Sequence, residues 1–210
     1  GAQRAASANT IVNHDGRLCG YSTDGYGLAA AMRERFGIEV EGGCFFFCGC
    51  GGAGRAASIY FSAQGARKLV IANRTLAKAG AVTAIIQHVA PECETVTLGL
   101  NDSERVQQAM KRCQALIQAT SLGLKDSDPL PMSPEVVPRG VAVMDMIYRP
   151  TPFLKAVAAR GCATADGRGM LDGDLQRCLG GEGDQQAHQG RGDAQAHRRC
   201  AGEVGRGDAE

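Results

Sequence analysis

The chain has no tryptophan, and aromatic residues make up only 5% of its 210 positions, so a packed interior has to be built chiefly from aliphatic side chains. No run approaches the 18 consecutive apolar residues that a membrane-spanning helix needs. The first residues show no basic region followed by an apolar core, so no signal-peptide pattern is visible in this sequence. There is no charge excess either: 23 Lys and Arg against 22 Asp and Glu give a net charge of +1. Without a basic stripe, nucleic acid is not an expected partner. Metal-ligand spacing is also lacking. Cys44, Cys48 and Cys50 form the tightest cysteine group, but Cys44 and Cys48 lie too far apart along a strand to share one small ion. No histidine or second cysteine pair stands near them at zinc spacing. They read as small apolar side chains, and the nine cysteines as free thiols of a reducing, cytoplasmic protein. Large aliphatic residues fail in one place above all. Among residues 172–210 only Leu175, Leu179 and Val204 qualify, beside nine Gly, eight Asp and Glu, five Arg, five Gln and five Ala. Such a segment cannot bury enough surface to offset the entropy of ordering it, and it is expected to be a disordered tail.

What is present is a strand–helix rhythm. A short strand at 9–13 turns through His14-Asp15-Gly16-Arg17 and returns over 18–21. Ser22-Thr23-Asp24-Gly25 leads into an amphipathic helix that Gly37 stops. Strands then fall at 44–48, 68–72, 93–98, 115–119, 141–145 and 162–165, with helices at 53–64, 75–89, 102–112 and 151–160. Continuous apolar strands alternating with helices predict a doubly wound, Rossmann-like α/β fold: a parallel sheet with helices on both faces. The expected organisation is a short foreign or truncated start at 1–8, a nucleotide-binding domain with a linking strand and helix over 9–171, and the tail at 172–210.

The segment Cys44 to Ala56 is an apolar strand that ends in a glycine loop and opens into an alanine-rich helix. Gly49 permits the tight turn, Gly51 lets a phosphate approach the backbone, and Gly54 lets the helix lie close to the sheet. Cys50, Gly52 and Ala53 complete the loop, and the free N–H groups of the helix start suit a pyrophosphate. Where an NAD site usually has an acid accepting from the ribose 2′-hydroxyl, this chain has Asn73-Arg74-Thr75. An acid would repel a 2′-phosphate, whereas Arg74 can pair with one in a planar, charge-assisted contact. Thr75 can add a hydroxyl and cap the following helix. The cofactor expected is therefore NADP. A glycine-loop methyltransferase, which would want an acid at that position, fits less well.

The motif series resembles the shikimate dehydrogenase family over roughly residues 8–171. It comprises Asn9-Thr10, Ser22-Thr23-Asp24-Gly25, Gly49 to Ala53 and Asn73-Arg74-Thr75, then Ala119-Thr120-Ser121-Leu122-Gly123-Leu124 and Asp145-Met146-Ile147-Tyr148. Thr151-Pro152-Phe153-Leu154 and Gly169-Met170-Leu171 close it. The resemblance implies reversible NADPH-dependent reduction of 3-dehydroshikimate to shikimate, a step toward aromatic amino acids, on a small polyhydroxy carboxylic acid. It implies that Asp24, half of a Lys–Asp pair, stands beside the reacting hydroxyl and that Asn9 hydrogen-bonds the substrate. Thr120, Ser121, Leu122 and Gly123 would run along the cofactor. Ile147, Tyr148 and Gly169 would flank its nicotinamide end, with Met170 near the ring.

The sequence departs from the family pattern at three points. Ser22 stands where the family has Asn. The lysines are Lys68, Lys78, Lys111, Lys125 and Lys155, none before Asp24, so the catalytic Lys and the paired serines that hold the carboxylate have no counterpart. After Leu171 the family's Gln-Gly helix is replaced by Asp172-Gly173-Asp174 and the low-complexity tail, which reads like a GC-rich message in the wrong frame. The expectation is a fragment, monomeric or homodimeric, that binds NADP with little or no turnover. The alternatives are a non-catalytic NADP-binding protein and a quinate/shikimate dehydrogenase using NAD.

Overall fold

The computed structural model describes residues 9–14 and 17–171. The expectations for 1–8, for the turn residues Asp15 and Gly16, and for the tail at 172–210 lie outside the described residues. The described chain begins with an antiparallel hairpin, β1 (Thr10–His14) and β2 (Arg17–Tyr21), followed by helix α1 (Asp24–Phe36). Gly37 ends that helix with φ 65°, the left-handed turn expected of it.

From there strands and helices alternate: β3 (Cys44–Cys48), α2 (Gly52–Ala63), β4 (Lys68–Asn73), α3 (Leu76–Val89) and β5 (Glu94–Gly99). Next come α4 (Ser103–Met110), β6 (Ala115–Gln118), a 3-10 turn at Pro134–Val136, β7 (Ala142–Asp145), α5 (Pro152–Ala159) and β8 (Thr164–Ala165). The six later strands form one parallel sheet in the order β5-β4-β3-β6-β7-β8. The strand order reverses between β3 and β6, and in such sheets the crevice at that reversal is where ligands sit.

The alternation of β3 accounts for the two layers. Phe45 and Phe47 join one buried cluster with Leu28, Ala31 and Met32 of α1 and with residues of α2 and α3. Cys44, Phe46 and Cys48 join the other, with Val106 and Met110 of α4 and Phe153, Leu154 and Val157 of α5. The scarce aromatics are concentrated under α2, where the Phe61 ring meets Phe45 and Phe47 edge-on at 5.0 and 5.5 Å. Helix α1 lies against α2 so closely that a Cβ at Gly25 would stand 2.4 Å from the Cβ of Tyr60.

Two sequence expectations change. The helix expected over 102–112 stops at Met110, because the Cys113 N–H turns back to the Met110 carbonyl. Thr75 occupies the N-cap of α3, but its hydroxyl caps nothing. The Lys78 N–H it would have received is already bonded to the Thr75 carbonyl at 3.1 Å, in a tightened first turn.

Candidate functional site

The glycine loop starts where β3 runs out of sheet. The Gly49 N–H still reaches the Ala72 carbonyl, and Gly49 then turns with φ 97°, a conformation that suits glycine. A Cβ at Gly49 would lie 2.6 Å from Thr120 Cγ2, so this loop and the loop after β6 touch at the sheet's switch point. A Cβ at Gly54 would lie 2.5 Å from the Gly49 carbonyl oxygen and 2.9 Å from the Ala119 Cβ, so this glycine lets α2 settle onto the strands. Gly51, by contrast, faces open space: nothing stands within 4 Å of where its Cβ would be. It is the N-cap of α2, no side chain caps the helix there, and the first turn holds no acid. Gly52 and Ala53 are exposed, while Cys50 is buried and offers only its backbone. Burial raises the Cys50 thiol, with Lys78 pulling in the opposite direction.

Asn73 ends β4 beside this loop, its amide donating to the Thr75 carbonyl at 3.0 Å. Arg74 is exposed and makes no ion pair among the described residues. Lys78 was not foreseen as a site residue. It stands exposed in the first turn of α3, and its charge lowers the Cys50 thiol in the glycine loop. The donors at the end of β4 are thus an amide and two cations with no acid among them, a set suited to a phosphate. Together with the open cradle over Gly51, the residues present fit a phosphorylated dinucleotide.

The loops after β6 and β7 are held by a buried network that sequence reading did not find. Gln118 and Asp145, at the ends of otherwise apolar strands, are paired in register and wholly buried. The Gln118 side chain accepts from the Thr120 N–H at 2.6 Å and donates to the Leu122 carbonyl at 3.0 Å. Asp145 accepts from the Ile147 N–H at 3.0 Å and from the Thr151 hydroxyl at 2.7 Å, and Thr151 in turn caps α5 through the Leu154 N–H. Burial raises the Asp145 carboxyl above its usual value, against the hydrogen bonds from Thr151, Ile147 and Gln118. Burial and then the Asp145 charge push the neighbouring Cys48 up to about 12.

Gly123, with φ 111°, is fixed from both sides. Its N–H meets Asp128, and its carbonyl accepts from Arg149 at 2.6 Å. Arg149 also holds Asp126 at 2.8 Å. Ser121 is exposed beside it. Tyr148 is half exposed. Its ring crowds Gly167, where a Cβ would fall 2.8 Å from Tyr148 Cδ1 and 2.5 Å from the Met146 carbonyl oxygen. Gly167 is a further site-building residue missed in the sequence, where it looked like one more loop glycine.

Asn9 and Asp24 are brought together. The Asn9 amide donates to Asp24 Oδ1 at 2.7 Å and to the Thr23 hydroxyl at 3.1 Å, while its carbonyl accepts from the Thr23 N–H at 3.0 Å. Asp24 is the first residue of α1. Gly169 lies against that helix, with Ala31 Cβ 3.5 Å from its notional Cβ. Met170, expected near the nicotinamide ring, is 1% exposed and belongs to the core cluster with Leu28 and Met32. The apolar contacts of α1 draw it there. Among the described residues, no helix is long and apolar enough to cross a membrane.

No family model matches the chain. Among curated proteins it is 32% identical over 176 residues to the shikimate dehydrogenase (NADP(+)) of Alkaliphilus oremlandii, covering 82% of this chain and 61% of that one. Among solved structures it resembles a shikimate 5-dehydrogenase from Listeria monocytogenes in complex with shikimate and NAD. That likeness has TM-score 0.76 and 28% identity, over 85% of this chain and 64% of that one. It also resembles the shikimate 5-dehydrogenase from Thermus thermophilus in complex with NADP(H) and shikimate, with TM-score 0.69 and 29% identity, over 85% and 63%. The chain thus spans about three fifths of the length of the curated relative it matches.

Proposed function

We propose a function from one premise: the chain belongs to the shikimate dehydrogenase family and corresponds to the NADP-binding portion of its members. On this reading residues 9–171 form an NADP-binding domain for the reversible reduction of 3-dehydroshikimate to shikimate. When bound, the cofactor supplies the hydride. The observation that carries the reading is the donor set at the end of β4, where Asn73 and Arg74 replace an acid and Lys78 follows one turn later.

Arg74 and Lys78 bind the 2′-phosphate, and the N–H groups over Gly51 to Gly54 take the pyrophosphate. Thr120 to Gly123, Ile147 and Tyr148 line the nicotinamide side, with Asp145 and Gln118 fixing their backbone. Gly169 spaces that side from α1. Met170 supports the cleft from within the core. The Asn9 amide orients the Asp24 carboxylate, which holds or moves the proton of a substrate hydroxyl. The five lysines of the 210 residues all follow Asp24 in sequence, from Lys68 onward. Among the described residues Asp24 makes no ion pair with a lysine, and on this reading the 210 residues bind NADP with little or no turnover.

Titration of the 210-residue chain with NADP and with NAD tests the first half of this reading. NADP is expected to bind at least tenfold more tightly, and equal affinities would overturn it. Nicotinamide absorbance with shikimate and NADP tests the second half, and sustained turnover at ordinary enzyme rates would overturn it. The competing reading, an NAD-dependent quinate or shikimate dehydrogenase, draws on the NAD in the Listeria monocytogenes complex. An Arg74→Ala variant whose NADP/NAD affinity ratio is unchanged would favour it.

A further inference from the structure

Far from the glycine loop, at the opposite end of β3, two sulfurs nearly touch. Cys44 opens β3, Cys113 closes the turn that feeds β6, and their Sγ atoms stand 3.3 Å apart. Their backbones are tied together. The Gln114 N–H donates to the Cys44 carbonyl at 2.9 Å, and the Cys44 N–H donates to the Gln114 side-chain oxygen at 3.2 Å. A disulfide needs about 2.05 Å between sulfurs, so small side-chain rotations on fixed strands would close the gap. We propose that Cys44 and Cys113 form a redox site, a thiol pair that a hydroperoxide converts into a disulfide joining the first residue of β3 to the turn before β6.

The surroundings give the two thiols different parts. Cys44 pairs in register with Lys68, and Arg67 precedes it. The Cys113 thiol donating into Cys44, with these cations adding to it, lowers Cys44, while Cys113 is raised. Cys44 is therefore the attacking thiolate. It displaces water from the hydroperoxide, when that is hydrogen peroxide, and becomes a sulfenic acid. Cys113 then attacks the Cys44 sulfur, its proton leaving with the sulfenic oxygen as a second water. Two thiols and one hydrogen peroxide thus give one disulfide and two waters. Cys113, 7% exposed beside the end of α4, provides the way in for so small an oxidant. Four other cysteines are less suited to the reaction. Burial raises Cys48, Cys50, Cys93 and Cys162, with Cys48 at about 12 and Cys93 at about 11.

The test treats the full chain with hydrogen peroxide, blocks the remaining thiols and maps peptides by mass spectrometry. The expected result is the loss of two hydrogens, a link between the peptides carrying Cys44 and Cys113, and reversal by dithiothreitol. Cys113→Ser should abolish the link and leave Cys44 trapped as a sulfenic acid or a mixed adduct, whereas Cys50→Ser should keep it. The wild-type map does not depend on how the variants fold. A wild-type chain that forms no link, or whose link joins other cysteines such as Cys44 and Cys93, would overturn the proposal. NADP affinity should stay within about twofold on oxidation, because the four residue steps from Cys44 to Cys48 put the pair about 13 Å from the loop.

Discussion

The two halves of the candidate site are built in different ways. The proposed cofactor half grows from the ends of largely buried strands. Gly49, Gly54 and Gly123 meet Thr120, Ala119 and Thr151 at distances that leave no room for a methyl group, and Gln118 and Asp145 brace its loops from inside. The substrate half, as far as this chain supplies it, is Asn9 and Asp24 at the edge of a hairpin whose Ile11 and Leu18 are 71% and 70% exposed. Asn9 and Asp24 hold each other through short polar contacts rather than through a core. On the proposed reading, a cofactor seat set into a sheet takes its shape from buried strand ends, whereas a substrate seat at a surface hairpin takes its shape from exposed polar contacts.

That contrast is broken most severely at Gly49. Gly49→Val places a β-branched residue at φ 97° and drives its Cβ into Thr120, so the chain should lose several kcal/mol of stability and all measurable NADP binding. Thermal unfolding followed by circular dichroism, with an NADP titration alongside, checks this. Next is Arg74→Glu. It should leave the unfolding midpoint unchanged, because the side chain is exposed, yet weaken NADP by a hundredfold or more. Arg74→Ala should cost about 1.5–3 kcal/mol of binding, the worth of a hydrogen bond to a charged group.

On the other half, Asn9→Ala should cost about 1 kcal/mol of stability and leave NADP affinity within twofold. A large loss of NADP affinity there would dissolve the distinction between the halves. The smallest effect concerns Asp145. Its native pKa is raised, so the group favours the folded state below the usual 3.8, and that contribution is lost as pH rises through the native value. Asp145→Asn should flatten the dependence of the melting temperature on pH just above 3.8.

Much of the cofactor half was legible in the sequence, because it rests on local signals. An apolar run, three glycines at fixed spacing and a polar triplet after the next strand lie within 32 residues, Cys44 to Thr75. The strand succession followed from the same alternation. The bracing network was not legible, since Gln118 and Asp145 meet across two strands and a sequence shows only a polar residue ending each apolar run. Thr75 illustrates the opposite error. A good capping residue stood in the right place, but a tightened first turn had already used the N–H it would have served. The burial of Met170 in the core beside α1 was likewise not legible from its motif.

The contact between Gly25 and Tyr60 sets a tolerance. Asp24 directly precedes that glycine, and Tyr60 belongs to the same helix whose first turn carries the glycine loop. The acidic group and the pyrophosphate seat are therefore gauged from one rigid rod, with a single atom of hydrogen as the spacer between the two helices. Replacing that hydrogen with a methyl group would push α1 outward and carry Asp24 with it. Misplacement by about 1 Å can cost a reaction a hundredfold in rate. On the proposed reading, the smallest side chain in the chain thus sets the spacing between the group that handles the proton and the seat of the pyrophosphate.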